Sequence, residues 1–177
     1  TKNDGISEKL VNKMDVDGLN KQDKKGNTAL HKAVKNGKFK LVEAMLEKID
    51  NNGLNIKDNN GDTALHTAIQ KRLFPPTTKY EKKKIAILKK NFEIIKMLVD
   101  KMDANGLKIQ NKDLYTALHF AVLLGDTKND EILEMLVNKM DNKELNIQNN
   151  EGDTALHLAV KNGKINLVEA MLEKMND

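Results

Sequence analysis

Four histidines, His31, His66, His119 and His157, are the side chains of this 177-residue chain best suited to proton transfer or metal ligation near neutral pH. Either task requires several ligating or titrating groups to converge on one point. Each histidine instead ends a copy of one tetrapeptide, Thr-Ala-Leu-His, at residues 28–31, 63–66, 116–119 and 154–157. Nucleophilic chemistry has less to draw on. Ser7 is the single serine and cysteine is absent, which removes thiolates, disulfides and Cys-ligated metals. The glycines are scattered at turns rather than gathered into a phosphate-binding loop. Asp and Glu fall at turns and on polar helix faces. No catalytic, cofactor-binding or metal-binding set is assigned, and recognition of another molecule is the chemistry left.

The tetrapeptides stand 35, 53 and 38 residues apart. A second signature, Lys followed by Met or Ile and then Asp, begins at Lys13, Lys48, Lys101 and Lys139, each 15 residues before the motif threonine. The link between copies has one length, so all variation falls within them. Such self-similarity predicts a stacked array. In the first copy the Asp23–Gly26 tetrapeptide suits a turn with Gly at positive φ. Thr28 fits the N-cap of a helix, Leu30, Ala33 and Val34 give its buried stripe, and Gly37 ends it. Leu41, Val42, Met45 and Leu46 mark a second helix. Each helix is too short to stand alone, so stacking must hold it. An array spaces equivalent residues a repeat apart, which favours structural histidines bonded to the cap threonines Thr28, Thr63, Thr116 and Thr154 and nearby backbone.

Gly26-Asn27-Thr28-Ala29-Leu30-His31-Lys32-Ala33 and Gly152-Asp153-Thr154-Ala155-Leu156-His157-Leu158-Ala159 resemble the ankyrin repeat signature, Thr-Pro-Leu-His-x-Ala at a 33-residue period. The second motif position is Ala throughout, and the base period is two residues longer, through an extended turn at Ile49–Leu54. The resemblance implies an all-α solenoid of helix-turn-helix units joined by short β-hairpin-like loops. A single array over 1–177 then comprises a partial repeat at 1–20 and repeats at 21–55, 56–108, 109–146 and 147–177.

The repeats differ in informative ways. Ile6–Met14 aligns with Leu41–Ile49 as a second helix lacking its first, and the chain begins at Thr1, which reads as a piece of a longer array. Repeat two carries a basic insert at about 71–90. Its first helix is predicted to run on to Pro75-Pro76 and its second to span Tyr80–Met102, with Leu73, Phe74, Tyr80, Ile85 and Leu88 as a satellite core. In repeat three the turn glycine becomes Leu114, for which an altered turn is expected. Three extra residues enter the loop at Asp126–Asp130. Tyr115, Phe120, Leu123 and Leu124 replace residues that are polar in repeat one, Asn27, Lys32, Lys35 and Asn36. Repeat four keeps Leu167, Val168, Met171 and Leu172, the pattern of an internal repeat, so a continuation past Asp177 is expected.

Composition sets the outer bounds. With 39% hydrophobic and 32% charged residues the chain suits a soluble protein, and no apolar run approaches the about 18 residues of a membrane span. Aromatic residues make up 3%, so the core must be aliphatic. The formal charge is +4, but Lys71–Lys90 alone carries +7, leaving the remainder acidic.

The ankyrin resemblance implies a non-enzymatic protein-interaction module whose partner docks on a concave face of hairpin tips and first helices. By motif position that face includes Asn59, Asn60, Asp62, Gln70 and Lys71 in repeat two, and Lys112, Asp113, Tyr115, Phe120, Leu123 and Leu124 in repeat three. Arg72, the only arginine, joins Tyr115 and Phe120 as a candidate anchor. Leu123 and Leu124 have an alternative role, packing beneath the insert. The insert itself offers three readings: a solvated basic face, a site for an acidic protein, or electrostatic binding of nucleic acid or an anionic membrane. Lysine is a point charge without arginine's fork, and no aromatic ladder accompanies it, which disfavours nucleic acid and membrane. The expected state is a monomer in the cytoplasm. Abundant Lys, Asn and Ile, with the family's habits, also fit the recognition segment of a bacterial effector or toxin acting in a host cytosol, its catalytic domain lying elsewhere.

Overall fold

A threonine that caps, an apolar stripe of three or four residues and a glycine that stops define a helix of two turns, and this unit recurs along the chain. The computed structural model describes residues 9, 11–73, 81–123 and 130–176. The predicted break at Pro75-Pro76, the residues Ser7, Phe74, Tyr80 and Leu124, and the loop at 126–129 lie outside the described residues, as do the side chains of Arg72 and Leu73. Two compact units are present, residues 1–101 and 102–177.

The first unit contains α1 (Val16–Asn20), α2 (Ala29–Lys35), α3 (Phe39–Lys48), α4 (Asn51–Leu54), α5 (Ala64–Leu73) and α6 (Glu81–Lys101). Helix α2 packs on α3 and α5, α3 packs on α6, and α5 packs on α6. Leu30 and Val34 of α2, Val42 of α3, Ile69 of α5 and Ile95 and Leu98 of α6 close an aliphatic core. Each such side chain contributes about 1.5–3 kcal/mol on burial, which is what short helices need from their neighbours.

The extended turn at Ile49–Leu54 is itself helical. Asp50 caps α4, its carboxylate accepting the Gly53 N–H at 3.0 Å. Asp15 caps α1 in the same way. The aspartate of the Lys-x-Asp signature is thus the N-cap of a short extra helix wherever the signature occurs, satisfying a donor the helix start leaves open.

The predicted second helix of the insert is present as α6, 21 residues long. Its C-terminal half keeps the repeat's register, with Ile94, Ile95, Leu98 and Val99 buried. The expected satellite core does not extend to Ile85, which is 56% exposed, while Leu88 is half-buried. The reason is positional: these residues precede Asn91, where α6 takes up the register that α3 occupies in repeat one, so they lack its buried apolar spacing.

The second unit contains α7 (Ala104–Leu107), α8 (Ala117–Leu123), α9 (Asp130–Lys139), α10 (Asn142–Leu145), α11 (Ala155–Lys161) and α12 (Ile165–Asn176). Helix α8 packs on α9 and α11, and α12 packs on α9, α10 and α11. Leu118, Val122, Ile132, Leu133 and Leu136 form its core. Asp103 and Asp141 cap α7 and α10 as Asp15 and Asp50 do. Val160, Ile165 and Leu172 are exposed, whereas the matching Val34 and Leu46 of repeat one are buried.

The expected change of turn at Leu114 is not what forms. Leu114 keeps the left-handed backbone, φ 62°, of the glycines it replaces. The turn's hydrogen bonds survive: Leu114 N–H donates to Asn111 O at 3.1 Å, as Gly26 N–H donates to Asp23 O at 2.9 Å. The Asn111 side chain secures the loop by accepting from the Asp113 and Tyr115 N–H groups, and local bonding of that kind outweighs the strain of one residue. The hairpin-like loops are turns without strands among the described residues, where one isolated bridge, Gln148 to Thr154, is found.

Candidate functional site

The motif side chains are occupied by the fold. Thr28 caps α2 by accepting from the His31 N–H, and His31 Nδ1 takes the Thr28 hydroxyl at 2.8 Å and the Thr28 N–H at 3.3 Å. The same threonine–histidine pairing recurs at Thr63/His66, Thr116/His119 and Thr154/His157, with hydroxyl contacts of 2.8, 2.7 and 2.8 Å. The other ring nitrogen reaches onward. His31 Nε2 lies 3.1 Å from Asp62 O in the next repeat, and His119 Nε2 lies 3.1 Å from Asp153 O. With Nδ1 accepting, Nε2 carries the proton and donates. Burial pushes both rings below their ordinary pKa, against the opposing pull of the carbonyls they touch.

The signature lysine also joins repeats. Lys48 Nζ donates to the Val11, Asn12 and Met14 carbonyls at 3.0, 2.9 and 2.7 Å, closing the C-terminal end of the preceding helical segment. Lys139 Nζ donates to Met102 O at 3.2 Å. Hairpin tips are stapled too. The Asn59 N–H donates to Lys25 O at 3.0 Å, and its side-chain amide donates to Lys24 O. In the second unit the Asn150 N–H donates to Asp113 O at 3.3 Å.

What remains outward is divided between the units. In the first, a groove of about 1570 Å³ gathers Asn60, Gln70 and Lys71 with residues of α2, α3 and α6, while Asp62, expected on the same face, lines it as a buried residue, 5% exposed. Asn59 is drawn out of this set by its hairpin bonds. In the second, Tyr115 stacks on Phe120, ring centres 5.1 Å apart, and meets His119 edge-on at 5.7 Å. Leu114 and Leu123 continue this patch at 45% and 37% exposure, with Lys112 and Asp113 exposed on the adjoining hairpin. Burial raises the Tyr115 phenol's pKa, helped by the charge of Glu151. Among the described residues no group of three His, Asp or Glu side chains could hold a metal, and no helix is long and apolar enough to cross a membrane.

Two models of ankyrin repeats match the chain, at residues 2–75 and 127–172, together more than half of it. The chain belongs to the ankyrin repeat family. A crystal structure of an ankyrin repeat domain from Acinetobacter baumannii superposes with a TM-score of 0.68 at 19% identity, covering 94% of this chain and 72% of that one. Its likeness speaks for the fold. No curated protein matches the sequence. Ankyrin repeats are generally protein–protein interaction modules and typically non-catalytic.

In this ankyrin chain the inter-repeat bonds were the part hardest to anticipate. The fixed 15-residue link between Lys48 and Thr63 was the available signal, since a spacing that never varies marks parts that must meet. The buried Asn91 of the groove had no such signal, because its counterpart in repeat one is Lys38.

Proposed function

We propose that this chain is a non-enzymatic protein-recognition segment, with a partner docking on the hairpin and first-helix face of the second unit. The supporting observation is Leu114: an exposed leucine in a left-handed conformation, costing about 1–3 kcal/mol, beside the stacked Tyr115 and Phe120. A hairpin that served the fold alone would use glycine there, as repeats one, two and four do. Strain retained next to a partly exposed aromatic pair fits the anchor of an interface, where a few residues dominate the energy.

The expected result is that Phe120→Ala leaves the unfolding midpoint nearly unchanged but abolishes retention of the partner first captured by the parent chain. Leu114→Gly should raise stability by about 1 kcal/mol while weakening the same capture. Affinity capture followed by mass spectrometry, with thermal unfolding in parallel, checks both. A Phe120→Ala chain that loses several kcal/mol of stability places the ring in the core instead.

A further inference from the structure

The second unit is acidic where the first is basic. Residues 102–177 hold 8 Lys against 13 Asp and Glu, a formal charge of −5, which leaves +9 for residues 1–101. This acidity reaches the aromatic patch. The hairpins at 111–115 and 149–153 carry three carboxylates, Asp113, Glu151 and Asp153, and one lysine, Lys112. Asp113 and Glu151 are exposed and Asp153 is half-buried. Among the described residues no cation lies within ion-pair reach of any of the three. Repeat two differs at the matching position, where the Asp62 carboxylate accepts the Gln70 amide at 3.0 Å.

Local bonding fixes where these carboxylates stand. Asn111 Oδ1 accepts the Asp113 and Tyr115 N–H groups, and Asn149 Oδ1 accepts those of Glu151 and Asp153 at 2.9 Å each. The Asn150 N–H bond to Asp113 O ties one hairpin to the other. Tyr115 registers the result: after burial, the charges of Glu151, Asp153 and Asp113 raise its phenol's pKa. Its ring and that of Phe120, stacked at 5.1 Å, are both partly exposed beside this rim. Charge and ring faces on loops already locked spare a ligand the cost of ordering them. The first unit's groove has no such offer. Its unpartnered donor, Nδ2 of the 3% exposed Asn91, is shielded from solvent, so no ligand reaches it.

We propose that the aromatic patch takes a basic, arginine-bearing peptide segment of a partner protein, its guanidinium groups meeting the Tyr115 and Phe120 rings and the carboxylates of Asp113 and Glu151. The inference names the partner's chemistry at the site of the proposed function and rests on that reading. Arginine fits better than lysine, because a planar guanidinium both stacks on an aromatic ring and forks to a carboxylate. Its methylene stem suits the exposed Leu114 and Leu123. Nucleic acids and anionic membranes carry the charge that this unit repels.

The test uses the full chain and a short fluorescein-labelled peptide of alternating Ala and Arg, followed by anisotropy at physiological salt. Counterparts with Lys, Gln or Glu in place of Arg serve as competitors. Asp113→Asn and Glu151→Gln should each weaken the Arg peptide by about fivefold, the upper scale of an exposed ion pair. Phe120→Leu, which keeps apolar bulk and removes the ring, should weaken it by a similar factor, about fivefold. Glu173→Gln, which removes an exposed carboxylate of α12 and the same unit of charge, should change it less than twofold. The Lys peptide should compete more weakly than the Arg peptide, and the Gln and Glu peptides poorly. No binding of the Arg peptide, equal affinity for its Lys or Gln counterpart, or equal losses at Glu151 and Glu173 overturns the proposal. An unbound Arg peptide, with Phe120→Ala still abolishing protein capture, sinks this inference and leaves the recognition reading intact. Capture unaffected by Phe120→Ala sinks that reading and the inference with it.

Discussion

Gly26→Ala lowers the chain's unfolding midpoint far more than Gly152→Ala, although the two glycines share a motif position and nearly the same backbone, φ 76° and 80°. Left-handed geometry costs an alanine about 1–2 kcal/mol at either site. The difference comes from the neighbour. A Cβ on Gly26 would lie 2.7 Å from Asn59 N and 2.9 Å from Asp58 C, backbone atoms of the next hairpin, whereas a Cβ on Gly152 meets nothing within 4 Å. Pushing the hairpins apart strains the Asn59 N–H bond to Lys25 O. Leu114 shows the accommodation such a side chain forces: the matching bond, Asn150 N–H to Asp113 O, is 3.3 Å against 3.0 Å. Overpacking adds about 1–3 kcal/mol, so Gly26→Ala should lose about 3 kcal/mol and Gly152→Ala about 1. Urea unfolding of the two variants measures the gap. Equal losses mean that the first two hairpins do not abut.

His31→Ala should cost about 3 kcal/mol and His157→Ala about 1 or less, again from one motif position. Removing the His31 ring leaves the Thr28 N–H and Asp62 O without their buried partner and opens a cavity. His157 is exposed and supports only its own cap. The same burial makes stability depend on pH. His31 and His119 in the folded chain take up protons only below the ordinary 6.5, while the unfolded chain takes them up at 6.5. Stability is therefore complete above about pH 6.5 and falls with acidification until the depressed folded values are reached. His31→Gln should flatten that fall. A parent chain equally stable on both sides of pH 6.5 would contradict it. Asp23 acts in a lower window. Lys32, at 3.0 Å, and the Asn27 N–H hold its pKa at about 2, so its contribution persists above 3.8 and disappears as pH falls through 2.

Much of this was legible in the residues. Thr28, the Leu30–Val34 stripe and Gly37 mark a capped two-turn helix by type alone, and four copies fix the architecture. The 21-residue α6 followed from a stretch without Pro or Gly. Other features depend on through-space neighbours that spacing does not encode. The Lys48 side chain reaches carbonyls more than thirty residues back, and the one-turn helix after it hides inside a run of Asn and Gly. The turn at Leu114 departs from what local propensity predicts because the Asn111 side chain holds the loop. At the candidate sites, Tyr115 and Phe120 stood out as apolar substitutions in one repeat. Asn91 did not, because its meaning lies in burial without a partner.

The central claim is that His31 and His119 each fasten their repeat to the next through Nε2, freeing the variable side chains for recognition. Long-range proton–nitrogen NMR of the histidine rings tests it most directly. His31 and His119 are predicted as neutral Nε2–H tautomers, their ring protons slow to exchange and persisting below pH 6.5. Nδ1–H tautomers at both, or ordinary titration at 6.5, would contradict it.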